Sequence, residues 1–215
     1  MDRIIPIEKL TFRDLILEPE KYAGLKDGLI KLPLPDMFKI GKVKMNIPMN
    51  VEEFTNTICY GQRLFMAREE NNEYGIILRI IDGYYYPLFT KNKWDEEKAL
   101  FLGKKVLTCV VKELYPVAMH LISMVKEMAD KEQKLLHREP SKIEKASGID
   151  KLSVFSALSA LDFLRDSLKL SIEEVMLTPY NECLVRFMFA KETLEYQERY
   201  LAEIKRMNEP KNKFK

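Results

Sequence analysis

Three features of the sequence predict a mainly α protein, a helical bundle preceded by an irregular, proline-rich N-terminal arm that carries a short β-ribbon. From residue 50 onward, apolar residues recur at three- and four-residue spacing, the period of a helix with one buried face. Residues of the kind that cap helices stand at intervals through the same region. Half of the ten prolines, by contrast, fall in the first 50 residues (Pro6, Pro19, Pro33, Pro35 and Pro48). Each removes an amide donor and fixes φ, so long helices are disfavoured there. The expected organisation is an extended arm over 1–49, a helical core over 50–136, a polar linker over 137–150, a C-terminal helical module over 151–207 and a basic tail over 208–215.

Within the arm, "KVKMNI" alternates strictly, with Val43, Met45 and Ile47 on one face and Lys42, Lys44 and Asn46 on the other. This pattern predicts a strand. Phe38 and Ile40 lie on the opposite parity with Gly41 between, which predicts a bend, and "LIKLPL" (29–34) is the expected pairing partner. An isolated two-stranded ribbon is barely stable. Val43, Met45 and Ile47 are therefore candidate interface residues, facing a neighbouring chain.

Asn50 with Glu53 forms the pattern of a capping box and predicts a helix from Val51 to about Ala67. "YGIILRIIDGYYYPLF" (74–89) fits a short buried helix or a buried strand, which look alike at this length; the favoured reading is a short helix ending near Asp82, with "DGYYYP" as the turn. Asp95 is the expected cap of a helix through "EEKALFLGKKVLTCVVKELY", and Pro116 starts another that runs to about Leu136, with Val117, Leu121, Met124, Val125 and Met128 as its apolar stripe. The polar segment "HREPSKIEKASGID" (137–150) reads as the linker.

Beyond it, Val154, Leu158, Leu161, Leu164 and Leu168 form a core-facing stripe, and Ser153, Ser156, Ala157 and Ala160 keep part of the surface small enough for another helix to approach. Ser171 with Glu174 caps the short helix "IEEVML", and Thr178 caps the last helix with Pro179 in its first position. In that helix Tyr180, Cys183, Phe187, Ala190, Leu194, Gln197, Leu201 and Ile204 make a coiled-coil-like seam. A helix reaching Met207 is about 40 Å long at about 1.5 Å per residue, more than a domain of this size covers alone. Phe187, Leu194, Leu201 and Ile204 are the candidate docking residues.

The composition excludes more than it identifies. Hydrophobic residues at 47% and charged residues at 32% fit a globular chain, and a net charge of +2 gives no general attraction to nucleic acid or membrane. "MDRIIPIEKL" has no signal-peptide pattern and no later stretch has the length of an apolar membrane span, so the expectation is a soluble cytoplasmic protein with Cys59, Cys109 and Cys183 reduced. Neither these cysteines nor His120 show the close pairing of structural zinc ligands, and no metal or other cofactor is expected. The acidic clusters Glu52/Glu53 and Asp95/Glu96/Glu97 stand at helix starts, where negative charge favours the helix dipole; Glu69/Glu70 completes the set. "GYYYP" is read as packed or interfacial rather than base-stacking. Lys205, Arg206, Lys211, Lys213 and Lys215, in the tail "KRMNEPKNKFK", are the only candidates for nucleic-acid contact.

The order of a helix, a polar linker, "LSVFSALSALDFLRDSLKLSIEEVMLTPYNECLVRFMFAKE" and a charged helical tail resembles the C-terminal part of tail-assembly chaperone-like proteins of tailed phages, including crAss-like phages of Bacteroidetes-type hosts. The resemblance spans residues 95–200; the segment before residue 50 lies outside it. It implies a non-enzymatic structural or assembly protein at the tail, neck or portal-proximal region, present in the host cytoplasm and then in the virion. Its partners would be other phage structural proteins and further copies of itself, as a ring or a hetero-assembly. A chaperone that leaves before maturation, or a small nucleic-acid-binding regulator, are the alternatives.

Overall fold

Thr11 opens the first helix inside the segment where the proline content predicts an extended arm. Its amide donates to Asp14 Oδ2 at 2.9 Å while its hydroxyl accepts from the Asp14 amide, a closed capping box. The computed structural model describes residues 5–149, 151 and 155–208. Short helices follow at α1 (Phe12–Leu17), α2 (Pro19–Tyr22) and α3 (Lys26–Ile30), with a 3-10 turn at Ala23–Leu25 between the last two. Pro19 stands at the first position of α2, where its missing N–H has no partner to lose. The prolines here shorten helices without preventing them.

This segment belongs to the protein's own core. Leu10, Phe12, Leu15, Tyr22 and Leu29 are buried with residues of the later helices. Backbone bonds fasten it as well: Phe12 N–H donates to the Cys109 carbonyl at 3.0 Å, and Val111 N–H to that of Leu10 at 2.8 Å. The ribbon is real but its partner is not "LIKLPL". Strand β1 (Phe38–Ile40) pairs antiparallel with β2 (Val43–Met45), Phe38 opposite Met45. Gly41, at φ +62°, makes the reversal, a conformation that a side chain would strain.

The predicted helix over 51–67 is two helices, α4 (Val51–Thr57) and α5 (Tyr60–Met66), parted by extended backbone at Ile58 and Cys59. The break has a use: Tyr60 N–H donates to the Thr178 carbonyl at 2.9 Å and Tyr180 N–H to that of Ile58 at 3.1 Å, tying the C-terminal helices to the body. The opposite correction holds for 74–89. One helix, α6 (Glu73–Thr90), runs through "DGYYYP" and carries Pro87 inside it. Its three tyrosines are central: Tyr84 stacks on Phe54 at 5.1 Å, Tyr85 meets Phe38 at 5.5 Å and Tyr86 meets Trp94 edge-on at 6.0 Å. All three are buried, so none is placed to stack on a base.

Asp95 does cap, but only the single turn α7 (Glu96–Ala99), and a further turn, α8 (Gly103–Val106), follows it. The long central helix α9 (Val111–Leu136) starts five residues before Pro116. Val117, Leu121, Met124 and Met128 are buried along it as expected, and Val125 is half-buried. The linker contains α10 (Lys142–Ala146), capped by Ser141 and Glu144. Helices α11 (Ser156–Leu168), α12 (Ile172–Leu177) and α13 (Tyr180–Asn208) complete the chain. Ser171 and Glu174 form the predicted capping box. Thr178 does not cap α13; its hydroxyl donates back to the Glu174 carbonyl at 2.9 Å. A smaller core of Tyr60, Leu164, Val175 and Cys183 joins these helices to α5. Leu158 is exposed rather than part of that stripe, and Val154 and Ser153 lie outside the described residues.

Candidate functional site

Helix α13 is anchored at its start and bare beyond it. Tyr180 and Cys183 are buried, and Phe187 is half-buried between Phe163, stacked at 5.5 Å, and Tyr60 at 6.2 Å. The 135–144 segment then crosses the helix. Lys191 Nζ donates to the Leu135 carbonyl at 3.0 Å, and Arg138 donates to Glu198 Oε1 at 2.9 Å while also bonding Glu144. Arg138, followed by the Ser141 backbone, holds the Glu144 carboxyl down to about 2.

Past this crossing Leu194 and Leu201 are exposed and Ile204 is half-buried. Of the docking residues expected from the sequence, Phe187 is thus mostly internal and the distal three lie along an unfilled part of the helix. Of the arm candidates, Val43 is exposed. Met45 and Ile47 are corrected to core, because β2 turns that face onto the protein's own apolar cluster and not toward a neighbour. Lys205 and Arg206 are exposed in the last turn of α13; Lys211, Lys213 and Lys215 lie outside the described residues.

Sequence reasoning missed a second apolar line on the same helix. Val185, Phe189, Tyr196, Tyr200 and Met207 are between 56% and 76% exposed, far more than ordinary core residues. At 3.6 residues per turn they fall within about 60° of one another, on the side away from Cys183, Leu194 and Leu201. Tyr196 and Tyr200 stack on each other at 6.2 Å. The available signal was the repeat of eleven, Val185 to Tyr196 to Met207 and Phe189 to Tyr200. An amphipathic reading assigns one apolar face per helix, and this helix has two.

A cleft of about 380 Å³ opens between α5, α9, α11 and α13, walled by Leu64, Leu136, Leu184 and Phe187. Arg63 of α5 and Glu132 of α9 meet in it through two parallel bonds, Nε to Oε1 at 2.9 Å and Nη2 to Oε2. Burial opposes the Arg63 charge, and Glu132 outweighs it, leaving the guanidinium pKa above its ordinary value. Burial pushes Tyr60 up to about 12 and raises Tyr180 too. Among the described residues that line the cleft, the carboxylate and guanidinium are paired and the phenols held protonated, so none of these is a free group for proton transfer near neutrality.

The other candidates for chemistry are spent on structure. His120 Nε2 meets the Pro48 carbonyl at 2.8 Å, while Cys109 Sγ contacts the Lys39 and Lys105 carbonyls, so they do not form a dyad. Burial raises the thiol pKa of Cys59, takes that of Cys109 to about 11 and takes that of Cys183 to about 12, which keeps all three as poor nucleophiles. Glu70 pairs with Arg79 at 2.6 Å, and Asp95 with Lys98 at 2.7 Å. Among the described residues no group of three or more His, Cys, Asp or Glu could hold a metal, and no helix is long and apolar enough to cross a membrane.

Comparison with protein-family models, with curated proteins and with solved structures gives no significant match to any of them.

Proposed function

We propose that this protein is a non-enzymatic assembly protein whose last helix docks onto other proteins. On the resemblance carried by residues 95–200, it is a structural component of a tailed phage at the tail, neck or portal-proximal region, made in the host cytoplasm and retained in the virion. The observation that supports a docking role is the distal half of α13. Leu194 and Leu201 stand exposed on a helix whose charged groups already secure its geometry through Arg138 and Lys191. Fixing a helix while leaving its apolar residues uncovered suits a surface prepared for a partner.

Mass spectrometry of purified particles tests the reading. Stoichiometric presence is expected; presence only in assembly intermediates identifies the departing chaperone, and absence from both rejects the phage assignment. Nucleic-acid binding that weakens steeply with salt would instead favour a regulator. The burial of Tyr84, Tyr85 and Tyr86 counts against that alternative, since it removes the tyrosine cluster as a base-stacking surface.

A further inference from the structure

We propose that the face of α13 formed by Val185, Phe189, Tyr196, Tyr200 and Met207 pairs with the same face of a second copy of this chain, antiparallel, about a two-fold axis between Glu195 and Tyr196. The inference deepens the reading of α13 as a docking helix by naming the occupant of the face that the Leu194 and Leu201 side does not use. An eleven-residue repeat holds about 3.67 residues per turn, close to a straight helix. The apolar line therefore stays on one side over its whole length, about 33 Å at about 1.5 Å per residue.

The line is compatible with its own reversal. Rotation about the stated axis sets residue 195 opposite residue 196 of the other copy, and every other residue follows. Met207 then comes level with Val185 of the other copy to within one residue. Phe189 and Tyr200 of the other copy come within two residues, about 3 Å along the helix. Tyr196 lies beside its counterpart. An isologous contact requires this relation, the same patch serving both sides.

Charge selects the direction. Glu192 and Arg199 lie on the same edge of the apolar line, seven residues apart and equidistant from the axis. In an antiparallel pair like edges meet, so each Glu192 faces Arg199 of the other copy and two ion pairs form. An in-register parallel pair brings opposite edges together, so Glu192 faces the Thr193 and Gln197 edge of the other copy and neither ion pair forms. Within its own helix Arg199 reaches only Glu195, at 3.7 Å, a loose exposed pair that is readily exchanged. The strip is roughly 33 Å by 10 Å. That is below the roughly 800 Å² per partner of a standard stable interface and matches a weak, transient one, so the expected dimer dissociates in the micromolar range.

Sedimentation of the full chain from about 1 μM to about 100 μM spans that range. A monomer–dimer equilibrium is expected, with Phe189→Asp weakening it about thirtyfold or more while far-UV circular dichroism keeps its helical signal. Glu192→Arg and Arg199→Glu should each weaken it about tenfold, and the two together should restore it. A chain monomeric throughout, or a dimer indifferent to Phe189→Asp, overturns the proposal. A double variant as weak as the single ones overturns the antiparallel arrangement. A monomeric chain found in particles would reject this pairing and leave the docking function standing, whereas a dimer absent from particles and assembly intermediates would do the reverse.

Discussion

Gln62 reaches from α5 to α6 and donates Nε2 to the carbonyl of Gly83 at 2.7 Å. Gly83 is four residues before Pro87, and Pro87 has no N–H to give that carbonyl its helical bond. The other end of the same amide, Oε1, accepts from the Cys59 N–H at 3.0 Å and caps the start of α5. One buried side chain thus keeps α6 continuous through its proline and fixes where α5 begins.

Replacing Gln62 by Leu should therefore destabilise the protein by about 2 kcal/mol or more, because it leaves a buried carbonyl without a donor and a helix start without its cap. Pro87→Ala restores a backbone N–H to Gly83, so the combination Gln62→Leu/Pro87→Ala should lose less than Gln62→Leu alone. Urea unfolding of the single and double variants measures the coupling. Equal losses would show that the Gly83 carbonyl does not depend on Gln62.

Asp82 gives the stability a pH dependence of known sign. It is 2% exposed and its Oδ1 has no hydrogen-bond partner. Burial raises its pKa from 3.8 to about 8 against the lowering effect of the Gly103 N–H. Between those values the folded chain holds a proton that the unfolded chain has released, so this group's contribution is whole below pH ~4 and is lost as pH rises to ~8. Asp82→Asn should remove that slope and gain on the order of 5 kcal/mol over the natural chain between the two ends, at about 1.4 kcal/mol for each pH unit. Denaturation curves at several pH values in this window check it, and parallel curves for the two proteins would refute the assignment.

Deleting residues 1–49 should unfold the protein. Leu10, Phe12, Leu15, Leu29, Phe38 and Ile40 are each fully buried in the main core, and removing them exposes the apolar faces of α6 and α9. A truncated chain with a sharp thermal transition and native circular dichroism would return the segment to the status of a detachable arm.

What the sequence made legible follows from how locally each feature is encoded. Ser171 with Glu174, Asn50 before α4 and the stripe of α9 were readable because a cap or an i, i+4 pattern depends on near neighbours. The continuity of α6 was not, since the residue that satisfies the Gly83 carbonyl lies 21 positions away. The break at Ile58 was equally hidden, because its partner is the backbone around Thr178. Prolines misled at the N-terminus for a related reason: they limit helix length, and the burial of Phe12 and Leu15 is decided by helices not yet in view. At the candidate site, Leu194 and Leu201 were visible through the seam, while the Val185–Met207 line required reading an eleven-residue period beside a seven-residue one.

The two faces of α13 should be separable by mutation. Leu201 is 57% exposed, and Asp there buries no charge, so Leu201→Asp should fold with stability within about 0.5 kcal/mol of the natural chain. It should also keep self-association, because Leu201 lies well around the helix from the Phe189 line, yet, if the proposed role in phage assembly holds, fail to enter particles when supplied in place of the natural protein. Phe187 is different: it is wedged between Tyr60 and Phe163, and Phe187→Asp places an unpaired carboxylate in the small core, costing about 3 kcal/mol. Urea unfolding, sedimentation and particle composition together read the contrast. Equal destabilisation by both substitutions would make the distal seam ordinary core, and normal particle incorporation of Leu201→Asp would remove the seam from the docking surface.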